Sequence, residues 1–229
     1  MVIAVMQPYL FPYFGYYQLV NCADKFVVYD DVNYIKGGYI NRNNILVKGQ
    51  SQRFTVPVPG ASSNKKIKEL SFSSDVKKVL STIQQSYSKA LFFNEIFPIV
   101  EAILTYEDRS LAEVCKQSLS QVFAYLGVEK EIIKSSELDY DHSLSAADRL
   151  IDITRRFGAN KYINSIGGQS LYNKDYFQSN GIELSFIKMD EVSYTQANNK
   201  FVPYLSMIDV LMWCKKERVV EMLKSYKMV

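Results

Sequence analysis

Apolar positions fall along this chain in two rhythms. Short unbroken runs read as strands buried on both faces: "VIAVM" at the start, "DKFVVYDDV" ending at Asp30 and Asp31, then "EIIKSS", "KYIN" and "IELSFIK". "YINRNNILV" and "QRFTVPV" are also strand-like, until the prolines of the second. Elsewhere the spacing is helical. From Asp75 onward Val76, Val79, Leu80, Ile83 and Tyr87 share one face. Leu111, Val114, Cys115, Val122, Phe123 and Leu126 form a second stripe, with Ser110 and Glu113 as a capping pair and Gly127 as the stop. A further helix is predicted from Ala146 to Phe157, opened by Ser145 with Asp148 and closed at Gly158, and a short one near Tyr176. One or two helices close the chain from Leu205.

Strand, helix, strand, helix, strand is the order of a parallel α/β sheet. The expected fold is α/β, a mainly parallel Rossmann-like sheet that opens with a strand–loop–helix–strand unit. Residues 1–229 make one domain, with about 73–127 as a helical insertion or subdomain and further helices at the C-terminus. The segment between the first two strands, "QPYLFPYFGYYQLV", breaks both rhythms: Pro8 and Pro12 keep it irregular, and a helix begins near Gly15.

Composition narrows the function classes. The net charge of +3 is too small to mark a nucleic-acid binder. The charge is unevenly spread, however. No acid occurs from Val32 to Lys68, where Lys36, Arg42, Lys48, Arg53, Lys65, Lys66 and Lys68 all lie. Such a stretch can receive phosphate. The 17 tyrosines beside 13 phenylalanines suit a polar-ligand pocket or an interface, and equally a codon bias toward AT-rich sequence. Cys22, Cys115 and Cys214 are too scattered for a zinc site or a disulfide framework, and Cys115 sits on an apolar stripe as core. No signal sequence opens the chain and no apolar run approaches the roughly 20 residues that span a bilayer, so the expected location is cytoplasmic, without membrane insertion. His142 is the single histidine, which argues against a triad or multi-histidine metal site and leaves it as a surface residue.

In an open parallel sheet, ligands bind beyond the carboxyl ends of the strands. Gln7 after the first strand and Asp30 and Asp31 after the second share that rim. Gly15, with Tyr9 and Tyr16 around it, lets a ligand approach the free N–H groups of the first helix. The cluster "DDVNYIKGGYINRNN" is dense in polar groups. Asp30 and Asp31 are candidates for a general base or for Mg²⁺. Lys36 and Arg42 offer charge for phosphate or an oxyanion, and Asn41, Asn43 and Asn44 offer amides. The competing reading is a hairpin turned at Gly37-Gly38. Gly167 and Gly168 in "NSIGGQSLY", with Tyr172, and Gln196 in "SYTQANNKFVPYLSMIDVL" complete the candidate binding set. Ser206 and Asp209 read as the cap of the last helices. The arrangement resembles the opening of nucleotidylyltransferases, but Tyr13, Phe14, Gly15 and Tyr16 stand where their His-x-Gly-His signature would be.

"QPYLFPYFGYYQLV", "ADKFVVYDDVNYIKGGYINRN", "TVPV", "YINSIGGQSLY", "FQSNGIEL" and "YTQANNKFVPYLSMIDVL" together resemble the WbqC-like family of bacterial proteins, over about residues 2–212. Two departures are an aromatic other than Trp near Phe14 and the Gly-Gly beside Lys36. The resemblance implies a role in O-antigen or other surface-polysaccharide biosynthesis, as a transferase placing glycine or another acyl group on a nucleotide-linked amino sugar. Asp30, Asp31 and Lys36 are the candidate catalytic residues. An aminoacyl-tRNA donor is a further partner that the acid-free stretch would suit. The alternatives are a nucleotidylyltransferase-like enzyme and a non-catalytic scaffold of an assembly complex.

Overall fold

A computed structural model describes residues 1–197 and 200–229. Asn198 and Asn199, part of the "YTQANNKF" motif, lie outside the described residues. The fold is α/β. Its elements in chain order are β1 (Val2–Met6), α1 (Phe14–Cys22), β2 (Lys25–Val28), β3 (Arg42–Val47), β4 (Gln50–Thr55), α2 (Lys77–Tyr87), α3 (Phe93–Leu104), α4 (Leu111–Leu126), β5 (Glu131–Lys134), α5 (Ala146–Arg156), β6 (Lys161–Ser165), α6 (Lys174–Ser179), β7 (Glu183–Met189), α7 (Met207–Trp213), α8 (Lys216–Met222) and β8 (Tyr226–Met228).

The central sheet has the order β5-β2-β1-β6-β7-β8, parallel except for β8. The chain winds outward from β1 through β2 to β5, returns to the other side of β1 as β6, and winds outward again. The switch point of this doubly wound sheet therefore lies between β1 and β6, where such sheets open a crevice at their carboxyl ends.

Each strand alternates its side chains between two cores of unequal size. Ala4, Phe26, Val28, Ile163 and Ile187 face the larger core, filled by α1, α2–α4, α7, α8 and the β3–β4 hairpin. Ile3, Val5, Val27, Tyr162 and Phe186 face the smaller one under α5 and α6. Burial on both faces is what the unbroken apolar runs encode. The helical middle shares the larger core with β1 and α1.

Several local expectations need correction. The hairpin turns at Lys48-Gly49, both with positive φ as a two-residue connection requires, and not at Gly37-Gly38. The second strand ends at Val28, so Asp30 and Asp31 follow it rather than close it. Ser110 occupies the N-cap of α4 without capping it. Its expected partner Glu113 instead accepts from Gln117 at 2.9 Å and from Lys134 at 3.0 Å. Helix α3, with Pro98 inside it, and the three-residue β8 are elements that the apolar pattern does not predict. Ser145 does cap α5, and Gly127 and Gly158 follow their helices with positive φ.

Candidate functional site

The Pro-rich stretch crosses the carboxyl end of the sheet in a strained conformation. Phe11 has φ +43°, which is uncommon for a bulky residue. Buried polar groups hold it there. Its carbonyl accepts from Asn43 Nδ2 at 2.7 Å and from Ser206 Oγ at 2.8 Å, and its N–H reaches Ser118 Oγ at 3.5 Å. Asn43 Oδ1 also accepts from the Asn44 N–H at 2.8 Å, so this amide is fully engaged in construction. Backbone bonds from Met207 to Pro12, Ser206 to Asn44 and Leu10 to Ile40 complete the frame.

The frame presents the start of α1 and Tyr13 to a cleft made of three adjoining cavities, which all meet at Tyr13 and Tyr204. One, of about 180 Å³, lies at the switch point between Gly15, Ser165, Ile166, Lys188 and Met189. Among the described residues no side chain caps α1, and its first turn holds no acid. Tyr13 bridges Ser206 and the Tyr16 N–H is bonded to the Tyr13 carbonyl at 3.0 Å, so of the leading N–H groups the Gly15 N–H is the one with no partner among the described residues. Glycine at position 15 lets the Tyr13 ring lie against the start of α1, since a Cβ there would stand 2.6 Å from Tyr13 Cε2 and displace the ring. A second cavity, of about 390 Å³, is walled by Tyr9, Tyr13, Tyr39 and Tyr204 with Asn43 and Asn44. The third, of about 400 Å³, adds Asp190, Glu191, Tyr194 and Phe201. Neither carboxylate makes an ion pair or hydrogen bond among the described residues.

Burial raises the phenol pKa of Tyr9, Tyr13 and Tyr16, with smaller contributions from neighbouring phenols; in Tyr194 burial is joined by the Asp209 carboxylate. At neutral pH these side chains are donors, not bases. Asp209 lies beneath Tyr194, fully buried, and accepts from Tyr87, Tyr194 and Gln196 at 2.7, 2.7 and 2.9 Å. Its pKa is raised by desolvation, against the pull of those bonds. Ser206 caps α7 as expected, while Asp209 is the acceptor of this network and no cap partner.

The second polar group is at the end of β2. Asp30 and Asp31 are 1% and 2% exposed. Asp30 accepts from the Ser136 N–H and hydroxyl at 2.9 and 2.7 Å. Ser135 Oγ lies 3.0 Å from Asp30 and 2.5 Å from Asp31, so its single proton serves one carboxylate at a time. Tyr140 donates to Asp31 Oδ1 at 2.8 Å. Among the described residues Asp31 Oδ2 has no donor, unlike the other three carboxylate oxygens, and His142 Nδ1 stands 3.6 Å from it with its ring against Tyr140. With one carboxylate oxygen left, the pair as it stands is a poor Mg²⁺ site. Among the described residues no group of three or more His, Cys, Asp or Glu could hold a metal.

The remaining candidates are dispersed. Tyr9 lines the cleft, its ring 5.5 Å from Tyr16 and 6.2 Å from Tyr39, and Tyr16 donates to the Gln7 carbonyl at 2.7 Å beneath it. The Gln7 side chain is half-buried, with no hydrogen bond among the described residues. Asn41 is engaged by Tyr34 and the Val56 carbonyl, and Arg42 donates from Nε to the Gly38 carbonyl. Lys36 is exposed. Gly167 and Gly168 belong to the turn whose preceding residues, Ser165 and Ile166, line the cleft, and Gly168 packs closely on Asn164. Tyr172 packs edge-on against Phe177 on the α5–α6 side. Gln196 is buried, its amide bonded to Asp209 and to both backbone polar groups of Val202.

Tyr13, Tyr204, Lys188, Asp190 and Glu191 were absent from the expected set. Asp190 and Glu191 follow "IELSFIK", and the rule that ligands gather beyond strand ends points to them as well as to Asp30. His142 is half exposed, as its loop position predicts, and the fold brings it to Asp31.

Fold and cleft together define a doubly wound α/β protein with an aromatic, ligand-accessible crevice at its switch point. The WbqC-like protein family matches over residues 7–221, and the chain belongs to that family. It is also similar to the uncharacterized protein Rv1507c of Mycobacterium tuberculosis, 27% identical over 214 residues that cover 91% of this chain and 92% of the relative. No solved structure matches it. Among the described residues no helix is long and apolar enough to cross a membrane.

Proposed function

We propose that this protein is a cytoplasmic transferase of bacterial surface-polysaccharide (O-antigen) biosynthesis, which binds a nucleotide-linked amino sugar and attaches glycine or another acyl group to its amine. The observation that carries this reading is the convergence of three chemically different cavities on Tyr13 and Tyr204 at the switch point. The positive end of α1 at Gly15, with Lys188 across the same cavity, suits a diphosphate. The tyrosine faces suit flat or apolar ring surfaces, and Asp190 and Glu191 suit an amine. In the reaction the amine nitrogen attacks the carbonyl of an activated acyl ester. An N–C bond forms, the ester C–O bond breaks, the leaving oxygen takes up a proton, and a carboxylate accepts the proton lost by the amine.

Within this reading Asp190 and Glu191, unpartnered among the described residues, replace Asp30 as proton acceptor. Asp31 enters through His142, whose half-exposed ring sets Nδ1 3.6 Å from Asp31 Oδ2. Lys36 stands on the loop that carries Tyr39, and Arg42 opens β3 just after it. The test is incubation of the protein with UDP- and dTDP-amino sugars, glycine with ATP, and charged tRNA, read by mass. A glycylated or acylated sugar nucleotide is the expected result; no product from any donor overturns the reading. Nucleotidyl transfer is the second reading, favoured by the strand order alone. It predicts thermal stabilisation by ATP with Mg²⁺ in place of the sugar nucleotides.

A further inference from the structure

Tyr204 combines two properties that rarely coexist. Its φ is +58°, a conformation unfavourable for a bulky side chain, and its side chain is 70% exposed. The strain is not offset by burial. What it does achieve is placement: the ring stands edge-on to Tyr13, centroids 6.4 Å apart, and roofs the cavity that Tyr9 and Tyr39 wall from the other side. This lining carries no charge. The neighbouring cavity contains Asp190 and Glu191, whereas here the polar groups are phenols and amides.

The two amides differ. Asn43 is fully engaged in holding Phe11. Asn44 is locked through its backbone, whose N–H donates to Asn43 and whose carbonyl accepts from Ser206, while its side chain has no partner among the described residues. One free carboxamide, with a donor and an acceptor side by side, is thus held rigidly at an uncharged aromatic slot. That chemistry fits the edge of a nucleobase, and the rings fit its faces.

We infer that the Tyr9–Tyr39–Tyr204 slot is the nucleobase subsite: Tyr204 stacks on the base and Asn44 hydrogen-bonds its edge. The inference rests on the nucleotide-sugar reading and goes further, assigning the base to this cavity and leaving the acidic one to the sugar amine.

Saturation-transfer NMR and calorimetry with UDP-, dTDP-, ADP- and GDP-glucosamine, and with glucosamine 1-phosphate as the base-free control, test it. In at least one sugar nucleotide the base protons should receive the strongest saturation, and the control should bind much more weakly. Tyr204→Ala should lower that affinity about tenfold, with Tyr204→Phe close to wild type and Asn44→Ala intermediate. Tyr204 is exposed, so its variants remain folded. If a sugar nucleotide binds but its base protons stay unsaturated, or Tyr204→Ala binds as wild type, the slot is overturned and the transferase reading stands. If no sugar nucleotide binds, both fall.

Discussion

The switch-point cleft and the Asp30–Asp31 cluster are both polar, both beside strand ends, and built on opposite principles. At the end of β2 nearly every group has a partner: three of four carboxylate oxygens accept hydrogen bonds from Ser135, Ser136 and Tyr140. At the cleft, among the described residues, the side chains of Asn44, Asp190 and Glu191 are left without partners beside an exposed Tyr204. A buried, satisfied polar network fixes shape, while unsatisfied polar groups facing a cavity can bind. The density of polar residues in the sequence does not separate the two.

Substitutions can break this contrast, and the largest effect is expected at Asp30. Asp30→Ala removes a buried acceptor shared by the buried Ser135 hydroxyl and the Ser136 N–H and hydroxyl, and should cost about 3 kcal/mol in urea unfolding, with sugar-nucleotide binding retained in the folded fraction. Loss of binding without loss of stability would reverse the assignment of roles. Asn43→Ala should cost about 2 kcal/mol and weaken ligand binding together, because it releases Phe11 from the strained turn that carries the cleft. Gly15→Ala pushes the Tyr13 ring into the cleft. About 1 kcal/mol of stability and a larger share of ligand affinity should be lost, measured by thermal shift with and without ligand.

Asp209 sharpens the contrast through pH. Its pKa is raised by desolvation, so the folded state holds this proton more tightly than the unfolded chain. The contribution is full below the unfolded pKa of about 4 and is lost as pH rises through the raised value. Asp209→Asn should remove that falling component from a urea-derived stability profile above about pH 4; an unchanged slope would contradict it. The smallest stability change, within about 0.5 kcal/mol, is expected for Tyr204→Ala, the variant with the largest predicted effect on base recognition.

Most of the sheet was legible because parallel strands covered on both faces must be continuously apolar, as in "VIAVM" and "FVV". Helices α4 and α5 were legible from periodicity and from Gly127 and Gly158. Helix α3 was not: it starts without a capping side chain and carries Pro98, and its register comes from packing against α4 and α7. Three-residue β8 is too short to show a period. The opening stretch did point to the cleft, since two prolines and a glycine between a strand and a helix have few other uses. What escaped the reading depends on distance in sequence. The donors that engage Asp30 and Asp31 come from Ser135, Ser136 and Tyr140, and the roof over Tyr13 comes from Tyr204.

The Phe11 hub gathers residues 11, 43, 118 and 206, contacts separated by 32, 107 and 195 positions. Contacts of such high order form late, after the chain entropy of long loops has been overcome. The cleft therefore cannot exist on a nascent or partly unfolded chain, and local opening of any one contributor dismantles it. Ligand capture by this molecule is a report on the completion of folding as a whole, and an occupied cleft ties the first turn of the chain to its last quarter.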